Sequence, residues 1–295
     1  MRRIRIAVVL ASLALLTAAV GTIAAAPAKA PWRIALTTDR QGDSDIYAMN
    51  ADGTSVRKLT RTPGYDGFGP FSPDGRKLLY YRNQGGVWVM NANGSGKRDL
   101  TPGPAHNSPG GWSQDGRRIV FSSNRDGNGE IYVMNADGSR QRNLAPSPSS
   151  NEDSPVWSPN GATIAFVTDR DGNPEVYAMD ADGGNARNLT RGPRNDGGVP
   201  GGRGLLWSPD SRRIVFASTR DTHDEDNPEL YVVNADGSGL RRLTRLPGLE
   251  IPLSWSPDGR RIAVSRYPSK PRWAFWTMNP DGGGMRKVTW LLPPR

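Results

Sequence analysis

Apolar residues in this chain occur in short runs at consecutive positions, and turns rich in Gly, Asn and Asp separate the runs. The clearest example contains Ile119-Val120-Phe121, Ile131-Tyr132-Val133-Met134 and the turn Asn135-Ala136-Asp137-Gly138. Short runs that are apolar on both faces predict β-strands buried on both sides. Beyond residue 28 no segment has the spacing of a long amphipathic helix.

This arrangement returns six times, and an aromatic residue in the second apolar run marks each copy. The six positions are Tyr47, Trp88, Tyr132, Tyr177, Tyr231 and Trp276, separated by 41, 44, 45, 54 and 45 residues. Such a period is typical of one four-stranded propeller blade. We therefore expect an all-β fold, a six-bladed β-propeller of four-stranded antiparallel blades.

Each copy predicts four strands, which we name A to D. Strand A ends at an aromatic-Ser pair, strand B has the pattern Arg-Ile-x-Phe, strand C is Ile-Tyr-Val-Met, and strand D contains Arg-x-Leu. Gly and Asn in the turns tolerate positive φ. The methionine of strand C shares a face with the aromatic residue two positions earlier, so we expect these methionines to fill the space between blades. They are Met49, Met90, Met134, Met179 and Met278.

The aromatic residue of strand A occurs once less often than the marker of strand C. It stands at Phe71, Trp112, Trp157, Trp207 and Trp255. The first unit, residues 32–60, therefore lacks an inner strand. Either Trp290-Leu291-Leu292 completes this blade from the other end of the chain, or the blade has three strands, and the sequence leaves both options open.

Taken together, Trp-Ser-Pro-Asp-Gly, Ile-x-Phe, Ile-Tyr-x-Met-Asn-x-Asp-Gly and Arg-x-Leu-Thr resemble the WD-repeat-like propeller repeat of the TolB family over residues 32–289. The resemblance implies a six-bladed propeller in the bacterial envelope that works by protein contact. In contrast to authentic TolB, no mixed α/β domain stands between the apolar N-terminal segment and the repeats. The resemblance therefore does not imply a role in the Tol-Pal system.

Residues 1–28 predict a signal peptide for export. Three arginines, Arg2, Arg3 and Arg5, precede the apolar residues 6–26, and Ala26-Pro27-Ala28 is a small-residue cleavage pattern. The alternative is an uncleaved anchor, because 21 apolar residues are long enough to cross a bilayer. We expect residues 29–295 to form one propeller domain in the periplasm or outside the cell.

Composition limits the chemistry that is open to the chain. There is no cysteine, so disulfide bonds are excluded, and we expect no cofactor. The net charge of +9 falls to about +6 without the three N-terminal arginines. The other basic residues recur in strand D and after strand A, which favours a solvated rim; the alternative is a patch for anionic envelope polymer or lipid. We expect a monomer that does not bind nucleic acid.

The D–A and B–C connections vary in length and share one face of the propeller, here named the loop-bearing face. The longest two, residues 190–207 and 221–229, belong to the same blade. They supply the candidate partner-binding residues Arg191, Arg194, Arg203, Asp224, Glu225 and Asp226. The alternative is two mobile surface loops whose charges partly neutralise each other.

The starts of the A strands surround the mouth of the central channel on the same face. Five residues before each strand A aromatic stand Asp66, Asn107, Glu152, Gly202 and Glu250, of which all but Gly202 are channel-mouth candidates. Two carboxylates about 10 Å apart repel by only about 0.4 kcal/mol in water, so a cation is not required there. Residues 124–128 and 169–173 lack the spaced carboxylates and the terminal Glu of a calcium loop, and we interpret them as ordinary turns.

An enzyme is the competing functional class, because propellers with this repeat also occur in polysaccharide lyases and in prolyl oligopeptidase-like peptidases. The sequence has no Gly-x-Ser-x-Gly motif, and its only histidines, His106 and His223, lie in different loops. We expect a non-catalytic propeller that binds a protein or a cell-envelope partner through its loop-bearing face. The alternative is a propeller hydrolase or lyase acting on envelope or extracellular polysaccharide.

Overall fold

A computed structural model describes residues 7–9, 33–38, 44–50, 55–82, 85–197, 204–222, 227–246, 248–267 and 274–288. All regular elements in these ranges are β-strands, and they form six four-stranded sheets. Strands that follow each other in sequence are neighbours in each sheet. Within the same ranges, no helix has the length and apolar character needed to cross a membrane.

The strands are numbered in chain order. Sheets one and two contain β1 (Ala7–Val9), β2 (Arg33–Thr38), β3 (Asp45–Asn50), β4 (Arg57–Lys58), β5 (Asp66–Phe71), β6 (Lys77–Arg82), β7 (Gly85–Asn91) and β8 (Arg98–Asp99). Sheets three and four contain β9 (Asn107–Trp112), β10 (Arg118–Ser123), β11 (Glu130–Asn135), β12 (Arg142–Asn143), β13 (Glu152–Trp157), β14 (Thr163–Thr168), β15 (Glu175–Asp180) and β16 (Arg187–Asn188). Sheets five and six contain β17 (Leu205–Trp207), β18 (Arg213–Ser218), β19 (Glu229–Asn234), β20 (Arg241–Arg242), β21 (Leu249–Trp255), β22 (Ile262–Tyr267), β23 (Ala274–Met278) and β24 (Arg286–Val288).

The Trp-Ser-x-Asp-Gly element closes the turn between strands A and B. In the third sheet the Ser113 hydroxyl donates to Asp115 (2.6 Å) and accepts from the backbone N–H of Arg118 (3.0 Å). The N–H of Gly116 donates to the carbonyl of Ser113 at 2.9 Å. These bonds place Trp112 opposite Ile119 in an antiparallel pair. The predicted strands A to D and their tight turns are thus confirmed in this sheet.

Among the described residues, five apolar clusters form the core, and each lies between two successive sheets. In β10, Ile119 and Phe121 pack towards the second sheet, whereas Val120 packs towards the fourth. Alternate side chains of one strand therefore enter different cores, which is why the apolar positions are consecutive. Met90, Met134, Met179 and Met278 are at most 1% exposed, as predicted for residues that fill the space between blades.

Arginines of the predicted basic rim also connect neighbouring sheets. In strand D, the guanidinium groups donate to backbone carbonyls of the next sheet, in the pairs Arg98 to Asp137 (2.8 Å), Arg142 to Asp182 (3.3 Å), Arg187 to Ala235 (3.0 Å) and Arg241 to Asp281 (3.1 Å). Next to the A–B turns, Arg118 lies over the ring of Trp157 and Arg213 over that of Trp255, each at 5.1 Å. These contacts stabilise the stacking of sheets.

The described fold is an all-β propeller of four-stranded antiparallel blades. The repeat itself builds five complete blades, β5 to β24, one fewer than the six predicted, because the first unit has no inner strand of its own. That place is taken by β1, which pairs with β2 through Val8 and Leu36 and lies against β21. Neither predicted option, a three-stranded blade or closure by residues 290–292, included this strand; residues 289–295 lie outside the described ranges.

Candidate functional site

The predicted channel-mouth residues are buried at the starts of the inner strands. Asp66, Asn107, Glu152 and Glu250 are at most 2% exposed. An arginine at or just after the end of strand B contacts each of them, in the pairs Arg82 with Asp66 (3.3 Å), Arg125 with Asn107 (3.1 Å), Arg170 with Glu152 (3.3 Å) and Arg266 with Glu250 (3.3 Å). The carboxylates therefore join strands A and B of one blade, in the part of the chain that the structure describes.

In the fifth sheet the equivalent acid is Asp196. It does not stand five residues before Trp207, the position used to select the other channel-mouth residues. Asp196 forms an antiparallel bridge with Ser218, accepts from the Ser218 hydroxyl at 2.5 Å, and pairs with Arg220. Sequence counting selected Gly202, which lies outside the described residues. This position was wrong because the extra residues of the long D–A connection lie between Asp196 and strand A.

The same arginines stack on the aromatic residues of strand C. The distances from guanidinium carbon to ring centroid are 5.0 Å for Arg82 and Trp88, 4.6 Å for Arg125 and Tyr132, 5.0 Å for Arg170 and Tyr177, 5.4 Å for Arg220 and Tyr231, and 6.0 Å for Arg266 and Trp276. Each arginine thus connects strands A, B and C at the loop-bearing face. Their aromatic partners recur with the 41-to-54-residue period of the sequence.

Burial raises the pKa of two of these acids, Asp66 and Glu250. Desolvation raises the pKa of Asp66, although Thr60, Thr62 and Arg82 oppose the shift. It raises the pKa of Glu250 to about 7, because the loss of hydration outweighs the attraction of Arg266. Glu250 therefore exchanges a proton near neutral pH even though it is fully buried.

Sequence reasoning missed a second series of buried acids, at the start of strand C. These residues, Asp45, Glu130, Glu175 and Glu229, are at most 3% exposed. In three of them a threonine after strand D donates its hydroxyl to the carboxylate, in the pairs Thr60 to Asp45 (3.3 Å), Thr190 to Glu175 (2.5 Å) and Thr244 to Glu229 (2.6 Å). The signal was present in the sequence, as an acid directly before the Ile-Tyr pair and a recurring Leu-Thr pair.

The turns at residues 124–128 and 169–173 use their carboxylates to bind tyrosine hydroxyls. Asp126 accepts from the hydroxyl of Tyr132, and Asp171 accepts from that of Tyr177. Burial and these carboxylates raise the pKa of both tyrosines to about 12. Over the described residues, no group of three or more His, Asp or Glu is arranged to hold a metal ion.

A cavity of about 470 Å³ opens at the base of the long D–A connection of the fifth sheet. It is lined by Asp171, Asn173, Glu175, Asn188, Arg191, Gly192 and Pro193. Hydrogen bonds from Tyr177 and Asn188 hold the pKa of Asp171 below its usual range, so this carboxylate is ionised at neutral pH. Glu175 is buried beneath the cavity and accepts from the N–H of Gly192 at 2.7 Å.

The predicted partner-binding residues are only partly described by the structure. Arg191 borders the cavity, and both Arg191 and Arg194 are exposed on the loop-bearing face. Arg203 and the acids Asp224, Glu225 and Asp226 lie outside the described residues, so their contribution stays a prediction. A cavity that combines an ionised carboxylate, amide side chains and an arginine can bind a polar ligand by hydrogen bonds and charge.

Comparisons with known proteins agree with this fold. Residues 87–205 match the family model of the TolB beta propeller domain. The structure is similar to that of a putative TolB from Agrobacterium tumefaciens, with a TM-score of 0.66 and 25% identity over 82% of this chain and 87% of that chain. An oligogalacturonate lyase in complex with manganese is similar in fold alone, with a TM-score of 0.63 and 14% identity over 87% of this chain and 73% of that chain.

Two curated relatives match short stretches of the sequence. An uncharacterized peptidase, YuxL, from Bacillus subtilis is 43% identical over 60 residues, 20% of this chain. A TolB homolog from Chlorobium luteolum is 43% identical over 53 residues, 17% of this chain. The aligned stretches span only 8% and 12% of the lengths of these relatives.

Proposed function

Since the chain is a TolB-like β-propeller, we propose that it is an exported, non-catalytic protein that binds a protein or a cell-envelope component through its loop-bearing face. The observation that carries the proposal is the cavity at the base of the longest D–A connection, with Arg191 at its border and Arg194 exposed beside it. This connection departs most from the repeat, and variable loops on a rigid scaffold are where binding residues concentrate.

The buried acids support a binding function over a catalytic one. In the described blades, the acids that begin strands A and C are at most 3% exposed and contact arginine, threonine or backbone groups of the propeller. A general acid must reach the proton of its substrate directly or through one water. These carboxylates instead hold strands together, which leaves the exposed loops to make contacts with a partner.

We further propose that residues 1–28 are an export signal that is removed. Cleavage after Ala28 would release β1, because Ala7–Val9 lies inside the predicted signal segment. The edge of β2 would then need another strand, and residues 290–292 remain the predicted source. Mass spectrometry of the N-terminus of the exported protein tests the cleavage.

Charge reversal on the loop-bearing face tests the binding function. The variant carries Arg191→Glu and Arg194→Glu, and its matched control carries Arg117→Glu and Arg212→Glu in exposed A–B turns on the opposite face. Cross-linking followed by affinity purification from the native host should recover a partner with wild type and control but lose it with the variant. An identical partner set from all three proteins contradicts the proposal.

A deletion provides a second, independent variant on the same face. Removing residues 223–226 takes away the three candidate acids but keeps Asn227, whose side-chain oxygen accepts from the N–H of Gly248 at 2.6 Å. We expect the partner to be lost while the thermal midpoint is preserved. Turnover of a polysaccharide or peptide by the purified wild type would instead support the hydrolase or lyase alternative.

A further inference from the structure

Two glutamates meet inside the interface between the third and fourth sheets. Glu130 in β11 is 2% exposed and Glu152 in β13 is 0% exposed. The N–H of Glu152 donates to the carbonyl of Gly129 at 2.8 Å, so the two glutamates are neighbours across the interface and their carboxyl groups interact. One oxygen of each carboxyl group, Oε2 in both residues, is buried without a hydrogen-bond donor.

The remaining oxygens of the two groups are well supplied with donors. Oε1 of Glu130 accepts from the N–H of Ser147 at 2.9 Å and from Asn128 at 3.1 Å. Oε1 of Glu152 accepts from the hydroxyls of Ser150 at 2.6 Å and Thr168 at 2.8 Å. In this pair, only the two Oε2 atoms therefore lack a hydrogen-bond donor. Two buried acceptors without a donor are costly, since an ionised carboxylate can only accept.

Charge at this interface is also unbalanced. Arg170 contacts Oε1 of Glu152 at 3.3 Å. Other ionisable groups of the surrounding elements are engaged elsewhere: Arg125 with Asn107 and Gln141, Asp126 with Tyr132, Asp153 with Ser122, and Asp169 with Asn151. With both glutamates ionised, two negative charges would face one arginine in a desolvated site.

The missing donor has a cause in the sequence of the third repeat. Thr60, Thr190 and Thr244 each donate a hydroxyl to the acid at the start of strand C in the first, fourth and fifth sheets. In the third sheet the same position, directly after the last leucine of strand D, is Ala145. Alanine has no hydroxyl, so Oε2 of Glu130 lacks the donor that the equivalent acids receive.

The neighbouring interface, between the second and third sheets, has neither acid. Gly86 stands before Val87, where Glu130 stands before Ile131, and strand A begins with Asn107. The Asn107 amide donates to the carbonyl of Ala105 at 2.8 Å and accepts from Arg125 at 3.1 Å. Both ends of the amide thus have a hydrogen-bond partner without an acid on strand C. At this interface, therefore, strand A has an asparagine instead of an acid, and strand C has a glycine instead of an acid.

We propose that Glu130 and Glu152 share one proton, and that this carboxyl–carboxylate hydrogen bond stabilises the contact between the third and fourth sheets in a pH-dependent way. The proton supplies the donor that both Oε2 atoms lack, and it reduces the two negative charges to one opposite Arg170. Burial raises the pKa of Glu152 and the neighbouring Glu130 adds to the rise, although the hydroxyls of Ser150 and Thr168 oppose it. Because the folded pKa lies above the unfolded one, the stabilisation is present at low pH and is lost as pH rises through the folded pKa.

Infrared difference spectroscopy of the full chain tests the proposal. The variant Ala145→Thr returns a hydroxyl to Oε2 of Glu130, and Ala162→Thr, at an exposed position, is its control. We expect the stretching band of one protonated carboxyl group in this pair to persist to higher pH in the wild type than in Ala145→Thr. Glu250 lies in another interface, so its own band cancels in the difference between the two proteins.

Two further variants locate the proton. Glu130→Gln and Glu152→Gln each replace the shared proton by a permanent amide donor, so both should abolish the band. They should also flatten the fall of the thermal midpoint as pH rises above the ordinary pKa of glutamate. A band that persists unchanged in both variants and in Ala145→Thr, or a wild type that loses the band already at the ordinary pKa of glutamate, would overturn the proposal.

Discussion

Some glycines are required by a neighbouring sheet and not only by the conformation of their own turn. Gly183 has φ +101, and a Cβ placed on it would lie 2.3 Å from the carbonyl oxygen of Leu144 in the preceding sheet. Gly172 has nearly the same φ, +99, but a Cβ there would have no atom within 4 Å. The pair separates the cost of a left-handed backbone from the cost of close contact between sheets.

Substituting both glycines by alanine measures this difference. Gly172→Ala should cost about 1 kcal/mol, the usual penalty for a side chain in the left-handed region. Gly183→Ala should lower the free energy of unfolding by that amount plus about 1 to 3 kcal/mol, because the new Cβ must push away the neighbouring sheet at Leu144. Urea denaturation gives both values, and equal costs would show that the contact with Leu144 relaxes freely.

The tryptophan of strand A is the largest side chain at the interface between the third and fourth sheets. Trp157 is 8% exposed, and Arg118 of the preceding sheet lies over its ring. Trp157→Ala should lower the free energy of unfolding by about 3 to 5 kcal/mol, because it removes an aromatic core residue. Val56→Ala, at a side chain that is 54% exposed, is the control and should change stability little in the same urea titration.

Strand D is the shortest element of each blade and depends on contacts outside its own sheet. β20 consists of Arg241–Arg242 only, yet Arg241 donates to the carbonyls of Asp281 (3.1 Å) and Pro280 (2.9 Å) in the sixth sheet. The outer edge of one blade is thereby attached to a turn of the next. Charged side chains on an outer strand also protect its edge from pairing with other chains.

Removing one such attachment should weaken the ring at its outer side. We expect Arg241→Ala to destabilise the protein by about 1 kcal/mol, the typical net value of a hydrogen bond, because the arginine is exposed. Arg117→Ala, in an exposed turn, is the matched control. Thermal unfolding of both variants at low and high salt distinguishes a carbonyl-bound arginine from general charge effects, and identical midpoints would contradict this function of Arg241.

At the scale of the whole molecule, the buried acids at the loop-bearing face make stability depend on pH. Burial raises the pKa of Glu250 to about 7, so the folded protein binds a proton that the unfolded chain has already released above its ordinary pKa. Between those two values, stability falls as pH rises. Exposed turn acids act in the opposite direction: the hydroxyl of Ser256 lowers the pKa of Asp258, and its contribution is lost as pH falls.

Amide variants at these two sites should have opposite effects on the pH profile. Glu250→Gln should remove part of the decline between about pH 4.5 and pH 7, whereas Asp258→Asn should reduce the loss of stability in acid. Urea midpoints measured across this range test both expectations. A wild-type decline that is unchanged in Glu250→Gln would show that Glu250 does not titrate in this window.

The repeat was sufficient to predict the strands and the residues that fill the space between them. Ile119, Phe121 and Met134 lie in the predicted strands and pack in the predicted core, because strand periodicity and burial are local properties of the sequence. The candidate site was harder to predict. Arg191 borders a cavity on the loop-bearing face. The acids of strand C were overlooked because in three of them the carboxylate binds a threonine that follows strand D of the same sheet, 15 residues further along the chain.

The amino-acid sequence by itself determined the blade, since turn chemistry and alternating burial operate within about 45 residues. Only the tertiary structure decided which residues of successive strands and sheets meet. Asp196 pairs with Ser218 in the fifth sheet although an insertion in the D–A connection separates this acid from strand A, and Glu130 meets Glu152 because two sheets stack. The spacing of residues along one repeat predicts which apolar positions are buried between sheets, but it does not specify which polar side chains meet there.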